Sequence, residues 1–150
     1  MDRIADRLFE AKFLKELPRS GFSYLGDGKE SVAEHSFMVI FIAYVMAKMV
    51  PEASTERLLA MCLIHDLPEA RIGDLNTVNK KYVQADEEQA VRDLSKGIHF
   101  GGEMKALIEE FNEGSTREAR LARDADHIAL VLELKDLIDR GYRPATTWMD

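Results

Sequence analysis

His65 and Asp66 stand side by side in the stretch Met61-Cys62-Leu63-Ile64-His65-Asp66-Leu67-Pro68-Glu69-Ala70, with a second carboxylate, Glu69, three residues further on. Neighbours on a helix point roughly 100° apart, so both can serve one point only if it lies between them. A divalent metal ion is such a point, because it accepts imidazole nitrogen and carboxylate oxygen together. The plainer account makes His65 a helix C-cap and Asp66 a solvated turn residue. Two distant residues bear on the choice. His35 lies on an apolar stripe, three residues after Val32 and four before Val39, and Asp126 lies among Ala122, Ala125, Ala129 and Leu130. A carboxylate in such a setting is costly unless a partner or a metal holds it. A core histidine is more often simply hydrogen-bonded, and His35 and Asp126 could satisfy each other without any ion. Taken together the four residues read His-x29-His-Asp-x59-Asp. Two imidazoles and two carboxylates suit one divalent ion and leave positions for water and substrate.

Apolar periodicity supplies the helices that must present these groups. A first amphipathic helix over 3–16 carries Ile4, Leu8, Ala11 and Leu14, with Phe9 and Phe13 beside them, and Pro18 and Gly21 end it. Residues 17–29 read as a loop that leaves Arg19 in a surface turn. Ser31 and Glu34 form a capping box for a helix reaching about Lys48, with Val32, Val39, Ile42 and Met46 on its stripe. Ser54 or Thr55 caps a helix over about 56–67 whose buried side is Leu58, Leu59, Cys62 and Leu63. Pro68 has no N–H, so this helix stops or restarts there, and Gly73 permits a sharp turn before Asp74. Residues 75–83 read as a loop, 84–96 as an exposed helix with an acidic first turn, and 103–112 as a short helix. His99 falls in the break between those two helices and is expected to face solvent. Ser115 or Thr116 caps the last long helix, with Glu118 three residues after Ser115. Leu121, Ala125, Ile128 and Leu132 make one stripe, which Leu130, Leu134 and Leu137 widen. Asp124 and His127 flank Asp126 and point elsewhere, and the tail with Trp148 is loop or docking segment. No stretch alternates convincingly as a strand, so the expected fold class is all-α, with about six helices around the site.

Composition bounds the rest. A chain of 150 residues, 46% of them hydrophobic, suits one domain spanning 1–150. A net charge of −7 argues against nucleic acid or an anionic membrane surface as partner. It leaves room for a small anionic substrate, because a metal and a few cations can make a locally positive pocket. Cys62 is the sole cysteine, which fits a reducing compartment. Asp2, Arg3, Asp6 and Arg7 interrupt any leader-like apolar run, and the Phe37–Met49 stretch contains Lys48 and is too short to span a bilayer. A cytoplasmic protein is expected.

With these blocks in order, the chain resembles the HD-domain superfamily of metal-dependent phosphohydrolases, and within it the small 5′-deoxynucleotidase-like branch. The words that carry the resemblance are Leu14-Lys15-Glu16-Leu17-Pro18-Arg19-Ser20-Gly21-Phe22, then Glu30-Ser31-Val32-Ala33-Glu34-His35-Ser36, then His65-Asp66-Leu67-Pro68-Glu69-Ala70 with Gly73-Asp74, and Arg123-Asp124-Ala125-Asp126. It covers roughly residues 10–140. The resemblance implies an HD-domain helical bundle and one divalent metal ion (Mn, Co, Ni, Zn or Fe) on His35, His65, Asp66 and Asp126. Asp124 competes for the last place. The match of Glu118 to Arg120 with the family's lead-in favours Asp126, and periodicity agrees. The activity implied is hydrolysis of a deoxynucleoside 5′-monophosphate to deoxynucleoside and phosphate. Glu69 would orient or deprotonate water, Arg19 would bind phosphate, and Asp74 would contact the sugar. Phe22 stands where the branch usually has Trp, so stacking on the substrate would be weaker. Glu34 could support a metal ligand but fits the capping box better. A homodimer is expected, with exposed Phe or Met of the late helices as its surface.

Other classes stay open at this point. Another HD phosphohydrolase could act on a cyclic nucleotide or a pyrophosphate bond. Such enzymes often add histidine ligands, and with His99 and His127 badly placed a mononuclear site is favoured. A non-catalytic metal-binding helical module and a plain helical scaffold are the remaining readings.

Overall fold

In the computed structural model, which describes residues 2–149, the chain forms eight α-helices among those residues. They are α1 (Asp2–Phe13), α2 (Ser20–Leu25), α3 (Val32–Met49), α4 (Thr55–Ile64), α5 (Glu69–Ile72), α6 (Glu87–Ser95), α7 (Gly101–Glu113) and α8 (Arg117–Asp139), with 3₁₀ turns at Asn79–Lys81 and Arg143–Trp148. The fold is all-α, as expected; α2 and α5 raise the helix count above six. Both are too short to show a period of their own.

Side-chain caps start the three helices on which the site depends. The Ser31 hydroxyl accepts from the Glu34 N–H while the Glu34 carboxylate accepts from the Ser31 N–H, so the capping box of α3 is complete. Ser54 caps α4 through the Arg57 N–H. Thr116, rather than Ser115, caps α8 through the Ala119 N–H. Glu118 works across helices instead of within a box: its carboxylate accepts from the Ser54 N–H at 2.8 Å and ties the start of α4 to that of α8.

α3, α4 and α8 pack on one another around an interior of small side chains. Ala119, Ala122, Ala125 and Ala129 of α8 meet Val39, Ala43 and Ala47 of α3 and Leu58, Met61 and Cys62 of α4. The axial distance between packed helices depends on the side chains at the contact, and alanine brings these backbones close. The expected stripe on α8 is corrected accordingly. Ile128 and Leu132 are 40% and 47% exposed, because the crossing admits the alanine face and turns the bulky one outward. Leu63 of α4 is likewise outside, at 62% exposure. A second cluster joins Leu14, Val32, Leu67, Leu94 and Met104. The predicted stripe of α1 is mostly open, since Ile4, Leu8, Phe9 and Phe13 are exposed and only Leu14, just past its end, is buried. Exposed Phe and Met side chains sit on α1 and α3 (Phe9, Phe13, Phe37, Phe41, Met49) rather than on the late helices where a dimer surface was expected.

The 17–29 segment is not a simple loop. Pro18 and Ser31 form an isolated antiparallel bridge, with the Arg19 N–H donating to the Glu30 carbonyl at 2.8 Å and the Val32 N–H to the Leu17 carbonyl at 2.9 Å. α2 follows and closes at Gly26, whose φ of 92° favours glycine. Taken over its full 18 residues, α3 is long and apolar enough on length and composition to cross a membrane, which the shorter Phe37–Met49 stretch is not. Its Val32, His35, Ser36, Val39, Ala43 and Ala47 are buried in the protein interior, while Phe37, Phe41, Tyr44, Val45 and Met49 are exposed.

Two outcomes follow from this packing. Ala122→Leu should overpack the α3–α8 crossing and cost about 1–3 kcal/mol in urea unfolding, while Ile128→Ala should change stability by less than about 0.5 kcal/mol. Equal effects would place the crossing elsewhere. At Glu110, hydrogen bonding from Arg57 lowers the carboxyl pKa against the opposing effect of burial, and Thr116 adds a further bond. A lowered carboxyl pKa means stability that is present above the group's unfolded value and lost as pH falls through its folded value. Glu110→Gln should therefore lower Tm at neutral pH and flatten the acid limb of the Tm–pH curve; an unchanged curve would remove this link.

Candidate functional site

α4 ends at Ile64, and the chain then tightens through residues 65–68 with i→i−3 bonds, Leu67 N–H to the Ile64 carbonyl at 3.0 Å and Glu69 N–H to the Asp66 carbonyl at 3.0 Å. This turn carries His65, Asp66 and Glu69 on one short piece of backbone. The His65 Nδ1 lies 2.8 Å from the Cys62 carbonyl. A carbonyl only accepts, so Nδ1 carries the proton and satisfies one of the acceptors left open at the helix end. The other ring nitrogen, Nε2, then points a lone pair at the Asp66 Oδ2, 3.2 Å away.

α3 and α8 bring in the other two groups. The His35 Nε2 is 2.7 Å from Asp126 Oδ1 and 3.8 Å from Asp66 Oδ2. Ligand atoms of His35, His65 and Asp126 lie within 4.8 Å of one another. Asp66 is not part of that threesome but touches both imidazoles from the side. Asp124 and His127, the neighbours of Asp126, are exposed, as is His99. The structure thus turns Asp126 inward and Asp124 outward.

The donor set fits a divalent cation. His65 Nε2 and Asp66 Oδ2 are both buried and without a hydrogen-bond partner. Two electron pairs that face each other out of water need a positive charge between them, and a proton or a metal ion supplies it. Burial opposes charge on both side chains. When a proton on Nε2 takes that place the two residues hold each other ionised, so Asp66 lies below the usual carboxylate range and His65 above its ordinary value. At Asp126, too, burial is outweighed, here by the hydrogen bond to His35, and the carboxyl is lowered.

A cavity of about 550 Å³ opens beside this cluster, lined by Arg19, His65, Asp66, Glu69, Asp74 and Asp126 among others. Its size suits a small-molecule ligand. Arg19 is not the surface residue that its turn suggested: its side chain is 18% exposed and its Nη1 lies 3.8 Å from Asp66 Oδ2. The bridge to Glu30 turns it inward. The Oε2 of Glu69 is buried without a partner, and burial, then Asp66 and Asp74, push its carboxyl up to about 9. Asp74 is half-buried, and its Oδ2 accepts from the Ser20 N–H at 2.5 Å, tying the entry of α2 to the loop after α5. Phe22 borders the cavity but is 6% exposed, packed with Leu25, Leu134, Leu137 and Ala145. The Phe111 ring of α7 lies with its centroid 4.7 Å from that of His65, tilted by 45°, and walls the cluster on that side. Cys62 is sealed in the core, where burial pushes its thiol up to about 12, so it offers no nucleophile.

One member of the site was missed in the sequence. Glu30 is buried, its Oε2 has no partner, and it lies 3.8 Å from the His35 Nδ1 on the side away from Asp126. Burial, with Glu133 adding to it, pushes its carboxyl up to about 7. A carboxylate behind the outer nitrogen of an imidazole orients the ring. Glu34, the support considered from sequence, is engaged in the capping box instead. The available signal was the position of Glu30 directly before the Ser31 cap, in a block otherwise accounted for.

A helical bundle with a His, a His-Asp pair and a distant Asp converging at its central crossing defines the HD-type class of metal-binding fold. The chain belongs to the HD domain family, whose sequence model matches residues 11–145. HD domains bind divalent metal ions. Among similar proteins, the 5′-deoxynucleotidase HDDC2 of Homo sapiens is 25% identical over 137 residues, which cover 87% of this chain and 66% of that protein. The chain therefore spans slightly less than two thirds of that relative's length. Among solved structures, a conserved hypothetical protein from Pyrococcus furiosus superposes with a TM-score of 0.84 at 31% identity, over 94% of this chain and 83% of that one. The PH0347 protein from Pyrococcus horikoshii OT3 gives a TM-score of 0.84 at 30% identity, over 97% of this chain and 84% of that one.

Glu30→Ala should weaken retention of a divalent ion by about 10–100-fold without loss of helix content, read by competition with a chelator. Asp124→Ala should leave retention unchanged. Unaltered affinity in Glu30→Ala would confine that residue to the fold.

Proposed function

We propose that the chain is a metal-dependent phosphohydrolase that cleaves deoxynucleoside 5′-monophosphates to deoxynucleoside and phosphate. The observation that carries the reading is the pair of buried, unpartnered atoms, His65 Nε2 and Asp66 Oδ2, opening onto a cavity that also holds Arg19 and Glu69. A plain scaffold would need only a proton between those atoms and would have no use for a cavity beside them lined by Arg19 and Glu69. The substrate class draws on the relative named 5′-deoxynucleotidase.

In this reading His35, His65, Asp66 and Asp126 hold one divalent ion, which when bound supplies Lewis-acid neutralisation of phosphate charge and acidifies a nearby water. Arg19 presents a planar fork to two phosphate oxygens and stabilises the charge that develops on them. Glu69 orients the attacking water and takes its proton. Burial and the charges of Asp66 and Asp74 push the Glu69 carboxyl up to about 9, which would leave it protonated at neutral pH; with a metal ion held by Asp66 that charge is offset, the value comes down and the base is freed. The water oxygen forms the new bond to phosphorus as the bond to the 5′-oxygen breaks, and that oxygen leaves with a proton as the nucleoside hydroxyl. Asp74 accepts from a sugar hydroxyl with the carboxylate oxygen that Ser20 leaves free. Among the described residues the other two histidines, His99 and His127, lie outside the cluster. That favours a mononuclear site over the histidine-richer sites expected for cyclic-nucleotide or pyrophosphate cleavage.

The test is phosphate release from a panel of deoxy- and ribonucleoside 5′-monophosphates, after EDTA treatment and re-addition of single metals. Metal-dependent release from the deoxynucleotides is expected. Glu69→Gln should keep the metal and lower kcat by about 10²–10⁴-fold, and Arg19→Ala should mainly raise KM. No release from any monophosphate by metal-loaded protein would sink the reading. Loss of metal in Glu69→Gln would make Glu69 structural.

A further inference from the structure

The cavity has a second wall that the chemistry above does not use. The chain returns to it after α8 through the 3₁₀ turn Arg143–Trp148. This segment is anchored: the Tyr142 hydroxyl donates to the Leu25 carbonyl at 2.6 Å, and Ala145 is fully buried against the Phe22 and Leu134 cluster. The anchoring delivers Trp148 to the cavity that contains Arg19, Glu69 and Asp74. The six-membered ring of the indole rests on Gly21, where a Cβ would come within 3.1 Å of Cζ3 and 3.3 Å of Cη2, so glycine gives the ring room two residues from Arg19. Besides the His65 imidazole, three aromatic rings border the cavity. Phe22 is almost wholly covered, Phe111 is occupied by His65, and Trp148 alone keeps a large open surface, at 41% exposure.

We propose that Trp148 is the nucleobase-stacking residue of this site, taking the base of a nucleotide whose phosphate lies at Arg19. The proposal rests on the nucleotide reading above and adds where the base goes. An indole face stacks on any base, because every base has a π-face. Stacking of this kind makes the site tolerant of purines and pyrimidines alike, with the phosphate and sugar contacts common to all substrates.

Trp148 is the only tryptophan in the chain, so its fluorescence reports from this one position. Metal-loaded Glu69→Gln, which consumes substrate slowly, is titrated with dAMP and separately with deoxyribose 5-phosphate, which has the same phosphate and sugar but no base. Saturable quenching by dAMP alone is expected. In steady-state kinetics Trp148→Ala should raise KM for dAMP about tenfold or more, leave kcat within about twofold, and leave KM for deoxyribose 5-phosphate unchanged. Trp148→Phe should restore most of the loss, and an unshifted Tm in Trp148→Ala separates the effect from unfolding. Equal quenching by both ligands, quenching by neither, or an unchanged KM for dAMP in Trp148→Ala would overturn the proposal. If dAMP is hydrolysed with that KM unchanged, stacking fails and the phosphohydrolase reading stands. If dAMP quenches Trp148 but nothing is hydrolysed, stacking stands and the phosphohydrolase reading fails.

Discussion

Ionisable side chains withdrawn from water must be compensated, and the interior of this protein concentrates four of them at one crossing of helices. His35 and Asp126 pair directly, and Asp66 and His65 face each other across 3.2 Å with atoms that no other protein group satisfies. Removing one partner of a buried charge pair typically costs about 3–5 kcal/mol, because the survivor is left unpaired. The arrangement is therefore an expensive one for a protein that uses these groups only to hold itself together. Its chemistry is that of a cation site, and the surrounding architecture serves to keep it dry, aligned and open on one side.

Two structural devices meet that demand. The alanine face of α8 lets three helices converge closely enough for side chains of α3 and α8 and of the turn after α4 to reach one point. The small antiparallel bridge between Pro18 and Ser31 acts at the rim. By pairing the backbone of Arg19 with that of Glu30, it aims a guanidinium into the cavity from one strand of the bridge and sets a carboxylate behind His35 from the other. Positions eleven residues apart in sequence thus serve the same site from two sides. The Asp74–Ser20 and Tyr142–Leu25 bonds fasten α2 against the rest, so the segment carrying Arg19 and Gly21 is held at both ends.

The cavity is chemically graded. On one side lie the His65 imidazole, carboxylates and Arg19, which suit a dianionic phosphate only in the company of a metal ion. At its border lies an open indole on a glycine platform. A ligand with one highly charged end and one flat aromatic end matches this gradient, and a nucleotide is such a ligand. The net charge of −7 is no obstacle, because the local cations rather than the global sum set the potential in a cleft.

Most of what local physics controls was legible in the sequence. The capping box at Ser31, the restart at Pro68, the all-α class and the order of the long helices follow from hydrogen-bonding chemistry and periodicity within a few residues. His35, His65, Asp66 and Asp126 stood out because such residues are conspicuous on apolar helical faces. What the tertiary structure decided are the features that depend on who the neighbour is. Ala122 and Ala125 are buried while Ile128 and Leu132 are not, because the contact distance between α3 and α8 selects small side chains over hydrophobic ones. Asp126 rather than Asp124 meets His35, Arg19 leaves the surface, and Glu30 joins the site, each through contacts between segments far apart in the chain. Trp148 reads as part of a tail until the fold returns it to the cavity. The physical reason is common to all of them: propensity and capping act over one or two turns of chain, whereas burial and the pairing of buried polar groups are settled only when distant segments meet.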